Sequence, residues 1–324
     1  MLYSSYSSGG VDMSFLLVII GLVLLVKSAD YFVDGCSGIA KALGIPTLII
    51  GLTIVSFGTS APEAAISITA SLKGDNAIVI SNAIGSNICN LLLVLGVCGV
   101  AGKLVTKEKV VTRDYVYAIF AALIVLLSGS TRFYQGSSLI SRTSGLLLLC
   151  FMAAYVYTLI NDVLSNHKPL KRKKKEKIKI SSFLFVIFGL AGIIIGSDMV
   201  VKHAQEIANM FNISHSVVTI SLIDIGTSLP ELITSLVAVK KGETDLAIGN
   251  VVGSNIFNLL FVLAISAVIT PVVFTTESLI DIIFMFIVTI VVYILILRNR
   301  NISKKEGIFL ISLYAVYLVY VFIR

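Results

Sequence analysis

Residues 51–100 align on residues 219–268 at a constant offset of 168, without a gap, and 21 of the 50 positions are identical. The identities include Gly58/Gly226, Thr59/Thr227, Ser60/Ser228, Pro62/Pro230, Glu63/Glu231, Asn82/Asn250, Ser86/Ser254, Asn87/Asn255 and Asn90/Asn258. Upstream, Asp30 and Asp198 match at the same offset. The chain must therefore build one plan twice, and the polar residues kept in both copies mark where that plan is strictest.

The duplicated unit is one that lives in a bilayer. The chain is 57% hydrophobic and 13% charged, without tryptophan. Its apolar runs reach the ~20 residues that a helix needs to cross a hydrocarbon core. Ten spans are expected, at residues 13–35, 44–71, 77–100, 115–130, 143–161, 182–208, 212–239, 245–270, 278–297 and 305–323. The first has neither a basic n-region nor a small-residue cleavage site, so it reads as a span and not as a removed signal peptide. The expected fold is an all-α integral membrane protein with ten transmembrane helices in two five-helix repeats, residues 1–161 and 182–324, joined by a basic linker at 162–181. Five is odd, so the second copy enters the membrane in the opposite sense, giving the inverted-topology repeat of many secondary transporters.

The net charge of +7 does not point to nucleic acid, because of where the charge sits. With the N-terminus outside, 19 of the 25 basic residues fall on one face, eight of them in the stretch from Lys168 to Lys179. The positive-inside bias then places both termini outside the cell and the 162–181 loop in the cytoplasm of a plasma membrane. Cys36, Cys89, Cys98 and Cys150 show no paired or metal-ligand spacing, and His167, His203 and His215 are scattered, so neither a disulfide framework nor a zinc site is expected.

The second and seventh spans each carry a helix breaker beside an acid. Pro62 and Pro230 lack an N–H and deprive the carbonyls of Gly58 and Gly226 of their helical partners. A helix opened in this way near the midplane offers carbonyl oxygens and a negative half-helix end, both attractive to a cation. Thr59, Ser60, Thr227 and Ser228 add hydroxyls, while Glu63 and Glu231 add charge. On the following spans Asn82, Ser86 and Asn90 recur every four residues, as do Asn250, Ser254 and Asn258, and each trio forms one polar stripe. The set contains oxygen donors without nitrogen or sulfur ligands, which suits hard cations such as Ca²⁺ and Na⁺. A carboxylate inside a membrane helix costs about 2.5 to 3.5 kcal/mol even on the lenient insertion scale, so protonation or a bound cation is needed to neutralise Glu63 and Glu231. The competing reading of the Gly-Ser-Asn segments is close helix packing, the role expected of Gly85 and Gly253. Asp30, Asp34 and Asp198 are expected to pair with Lys27 and Lys202 on their own helices or to lie at the membrane interface, and not to ligate a cation.

The motifs GTSAPE with SNAIGSNICN and GTSLPE with GNVVGSNIFN resemble the paired alpha repeats of the sodium/calcium exchanger family. The resemblance implies two inverted five-span halves and exchange of Na⁺ for Ca²⁺ by alternating access, with spans 1 and 6 sliding against the rest. Carried over, it makes Glu63 and Glu231 the carboxylates shared by both ions and Thr59, Ser60, Ser86, Thr227, Ser228 and Ser254 oxygen ligands. Asn90 and Asn258 then flank the central site. Some potassium-dependent relatives have aspartate where this chain has Asn258, which argues against K⁺ co-transport. Proton-coupled relatives show Gly-Asn-x-x-Glu around their acids, whereas this chain has Gly-Thr-Ser-x-Pro-Glu, favouring Na⁺. The departure is Asp224, whose counterpart is Ser56 and whose position in the family is commonly small. It is expected to add a third carboxylate that alters Na⁺ binding or adds proton sensitivity.

The expected activity is thus secondary antiport of Na⁺ and Ca²⁺. A Ca²⁺/H⁺ exchanger using the same acids is the main alternative, and a cation channel the one from another class. An enzyme is not expected, since no nucleophile and base pair or catalytic metal cluster is present.

Overall fold

The computed structural model describes residues 8–130, 139–165, 179–210 and 226–323, with the backbone alone described at 8–12, 129–130 and 208–210. It is built of helices: α1 (Ser8–Leu43), α2 (Thr47–Thr59), α3 (Ala61–Lys73), α4 (Asn76–Ala101), α5 (Val110–Ser128), α6 (Arg142–Ser165), α7 (Ile180–Met210), α8 (Leu229–Lys240), α9 (Thr244–Ile269), α10 (Thr276–Asn299) and α11 (Lys304–Ile323). Among the described residues eight helices are long and apolar enough to span a bilayer, and the bent pair α2–α3 makes nine. The first half of the expected seventh span, with Asp224, lies outside the described residues.

α1 is longer than the expected 13–35 and runs for 36 residues. It ends where Gly44 takes φ 68°, a left-handed conformation that terminates helices, with Pro46 beyond it. α4 and α9 form the centre, with 83% and 78% of their apolar windows buried, while α1 and α7 stand at 33% each. The outward faces of α1 and α7 expose Ile19, Val23, Phe183 and Phe188, as lipid-facing helices should.

The two outer helices pack on one another at backbone distance. A Cβ on Gly196 would come within 2.8 Å of Leu25 N and 2.9 Å of Gly21 O, and one on Gly35 within 2.7 Å of Ser182 O. Small residues allow such an approach where no hydrophobic force drives helices together. Residue 21 meets 196 while residue 35 meets 182, so α1 and α7 run antiparallel.

Among the described residues, four two-residue strands tie the halves of the chain. β1 (Leu104–Val105) pairs antiparallel with β4 (Asn301–Ile302), and β2 (Leu139–Ile140) with β3 (Val272–Val273). At the centre, Asn87 Nδ2 donates to the carbonyl of Asn255, its own counterpart, at 3.3 Å. Both α4 and α9 carry a π-helical turn, at Asn90–Val94 and Asn258–Val262, a distortion common at functional sites.

Candidate cation site

The helix breaks are built alike. α2 stops at Thr59 and α3 starts at Ala61, with the two axes bent by 47°. Ser60 sits between them at φ −87°, ψ 10°, and Ser228 stands before α8 at φ −87°, ψ 0°. Pro62 and Pro230 then fall in the first turn of the next helix, where a missing N–H costs nothing. Glu63 and Glu231 share that turn, at the positive end of the helix dipole, which favours an ionised acid.

Both carboxylates are completely buried, and two acids enclosed in one site repel one another when both are ionised. Glu231 Oε1 accepts from Ser60 Oγ at 2.7 Å and Ser254 Oγ at 3.3 Å, so a hydroxyl of the first half serves an acid of the second. Among the described residues, Glu231 Oε2 and both carboxylate oxygens of Glu63 have no hydrogen-bond partner. The same holds for Ser228 Oγ and for both amide atoms of Asn90 and Asn258, all of them buried. Buried polar atoms are nearly always satisfied, so a group of unmet oxygens around two acids has the chemistry of a site for a positively charged guest.

Thr59 Oγ1 lies 3.0 Å from both the Val55 carbonyl and Asn250 Oδ1, and Thr227 Oγ1 lies 3.5 Å from Ser86 Oγ. Glu63, Glu231, Thr59, Ser60, Thr227, Ser228, Ser86, Ser254, Asn90 and Asn258 are thus all buried on the elements that meet at the two breaks. Among the described residues no three of His, Cys, Asp and Glu come together. There the acid content of the site is two carboxylates, and the remaining donors are neutral.

The outermost member of each stripe has a different job. Asn82 Nδ2 donates to the Glu63 carbonyl at 2.9 Å and to Ser67 Oγ at 2.7 Å. Asn250 Nδ2 does the same with the Glu231 carbonyl at 3.4 Å and Ser235 Oγ at 2.9 Å. These amides hold the backbone beneath each acid. Ser67 and Ser235 were not among the expected site residues, although their identity across the duplication was a signal that could have found them. Gly253 has the packing role expected of it, since a Cβ there would meet Ser56 Oγ at 2.6 Å. The pairing of Asp30 and Asp34 with Lys27 is corrected: both bind Lys241 Nζ, at 2.9 and 2.7 Å. Lys241 stands just beyond α8, so a partner from the other half displaces the local one.

The family model described as sodium/calcium exchanger protein matches residues 13–161 and 181–323. The chain belongs to the sodium/calcium exchanger family. This exchanger is 30% identical to the sodium/calcium exchanger MaX1 of Methanosarcina acetivorans, over 96% of its own length and 99% of that protein's. It is 38% identical to the inner membrane protein YrbG of Escherichia coli (strain K12), over 79% of each. The fold is similar to that of the sodium-calcium exchanger NCX_Mj in a crystal soaked with 10 mM Na⁺ and 10 mM Sr²⁺, with a TM-score of 0.83 and 28% identity over 95% of this chain and 98% of that one. The exchanger is a multi-pass membrane antiporter of a calcium-transporting family.

Proposed function

We propose that the exchanger moves Ca²⁺ against Na⁺ through one shared site, centred on Glu63 and Glu231. The observation that carries this reading is the pair of fully buried acids, one from each half, with three of their four oxygens unpartnered among the described residues beside two asparagine amides equally unpartnered there. One Ca²⁺ or several Na⁺ neutralise the same charge, with Thr59, Ser60, Ser86, Thr227, Ser228, Ser254, Asn90 and Asn258 as oxygen donors; Asp224 adds a third acid from the sequence alone. Moving the bare acids past apolar gates is costly, so only the loaded site changes sides, and transport of one ion requires the other.

The halves, residues 1–161 and 182–324, are read as ten spans in two inverted repeats. The antiparallel run of α1 and α7, which are equivalent elements, supports that reading, as does the contact of Asn87 with its counterpart Asn255. The basic 162–181 linker lies in the cytoplasm of a plasma membrane, with both termini outside, in keeping with the positive-inside distribution.

The test is uptake of ⁴⁵Ca²⁺ from Na⁺-free buffer into liposomes loaded with Na⁺ at matched pH. Uptake is expected to collapse when internal choline replaces Na⁺. Uptake that instead follows an imposed pH gradient without Na⁺ makes protons the counter-ion at the same acids, and uptake without any counter-ion gradient overturns antiport. Within the site, Ser60→Ala removes the 2.7 Å bond to Glu231. It is expected to weaken Ca²⁺ affinity about tenfold, the scale of a hydrogen bond to a charged group, measured as the half-saturating Ca²⁺ concentration.

A further inference from the structure

One end of the seam between α1 and the core carries an ion cluster that the duplicated end lacks. Lys241 Nζ lies 2.9 Å from Asp30 Oδ1, 2.7 Å from Asp34 Oδ1 and 2.8 Å from the Asp30 carbonyl, so three oxygens meet its three protons. The lysine side chain is 24% exposed and the two aspartates 47% and 53%. Beside it, Lys41 near the end of α1 pairs with Glu243 ahead of α9 at 3.6 Å.

The 168-residue offset places Lys73 on Lys241, Asp198 on Asp30 and Lys202 on Asp34. Lys73, Asp198 and Lys202 are exposed, and among the described residues neither Lys73 nor Asp198 enters an ion pair. Two acids around one lysine at the first end have become one acid and two lysines at the second. In a protein built of equivalent halves, changing the open side means exchanging the surroundings of the two ends. Lys73 would then approach one attractive and one repulsive charge, which largely cancel.

We infer that Lys241, Asp30 and Asp34 form a latch that shuts the α1–core seam on their side of the membrane, and that its missing counterpart biases the cycle toward the state closed there. The inference rests on the alternating-access reading above. The latch side is the cytoplasmic one under the proposed orientation. Partly exposed ion pairs are individually weak, and two of them on one lysine correspond to a bias of about three- to tenfold.

The experiment uses the full-length exchanger in membrane vesicles, with the four native cysteines changed to alanine and buried Ser37, one turn beyond Asp34, changed to cysteine. A membrane-impermeant maleimide is applied from the Lys241 side with Ca²⁺ on both sides and no Na⁺. The readout is therefore independent of which counter-ion drives transport, and wild-type ⁴⁵Ca²⁺ uptake is scored separately. Lys241→Gln and the double variant Asp30→Asn with Asp34→Asn are each expected to speed labelling about three- to tenfold. Lys202→Asp, which supplies the second acid at the other end and so stabilises the state that is open on the Lys241 side, is expected to speed it. Wild-type labelling should also rise in 1 M salt, where exposed charges are screened. Labelling unchanged in Lys241→Gln, with only a lower melting temperature, would make the cluster a static staple and overturn the latch. Should the single variants fold poorly, the reversed set Lys241→Glu with Asp30→Lys and Asp34→Lys keeps the test open: slow labelling supports the latch and fast labelling overturns it.

Discussion

Glutamine in place of Glu63 is expected to stop Na⁺-driven ⁴⁵Ca²⁺ uptake, reducing it on the order of 100-fold or more, while the protein stays folded. Both carboxylate oxygens of Glu63 are buried and, among the described residues, unpartnered. An amide of the same shape keeps the packing and removes the charge that balances a divalent ion. Because the substitution also removes a fully buried ionisable group, the melting temperature in detergent should hold or rise. Glu231→Gln is expected to lose transport similarly, with an added cost from the bonds that Ser60 and Ser254 make to Oε1. Normal exchange by Glu63→Gln would remove the proposed site from consideration, whereas lost exchange together with lost folding would show a structural role instead.

Valine at Gly196 is expected to separate the outer helices. The added Cβ alone falls within 2.8 Å of Leu25 N and 2.9 Å of Gly21 O, both backbone atoms that cannot rotate aside. Overpacking of this kind costs about 3 kcal/mol, and in a bilayer no gain in apolar burial offsets it, since lipid solvates the separated surfaces equally well. Thermal unfolding followed by size-exclusion recovery should show a large loss of monodisperse protein. Gly44→Ala provides contrast: nothing lies within 4 Å of a Cβ there, and only its φ of 68° resists the change, for a penalty of about 1 kcal/mol. Equal losses in the two variants would refute close packing as the cause.

Much of this was legible in the sequence, and the reasons differ from residue to residue. The breaks at Pro62 and Pro230 follow from a missing N–H, a local property, so the bend and the placement of Glu63 and Glu231 in a first helical turn could be reasoned out. Ser67 and Ser235 were visible as a duplicated pair, yet their use in bracing Asn82 and Asn250 depends on how one helix faces the next. The bond from Ser60 to Glu231 joins residues 171 positions apart, and Lys241 reaches Asp30 across 211. Helical periodicity carries no information about such distant partners, which is why a nearby lysine looked sufficient for Asp30. The short strands were equally invisible, since two residues are too few to show an alternating pattern.

Those strands bear on how the protein is made. Val105 pairs with Asn301, and Ile140 with Val272, so neither ladder can close until most of the chain has left the ribosome. At ~5 to 20 residues per second, the partner of Val105 arrives on the order of 10 to 40 seconds later. During that interval the first half sits in the bilayer with its strand unpaired and Glu63 without the opposing half to enclose it. Assembly is thus post-translational in character, a docking of two inserted halves, and two separately expressed halves should find one another in the same membrane.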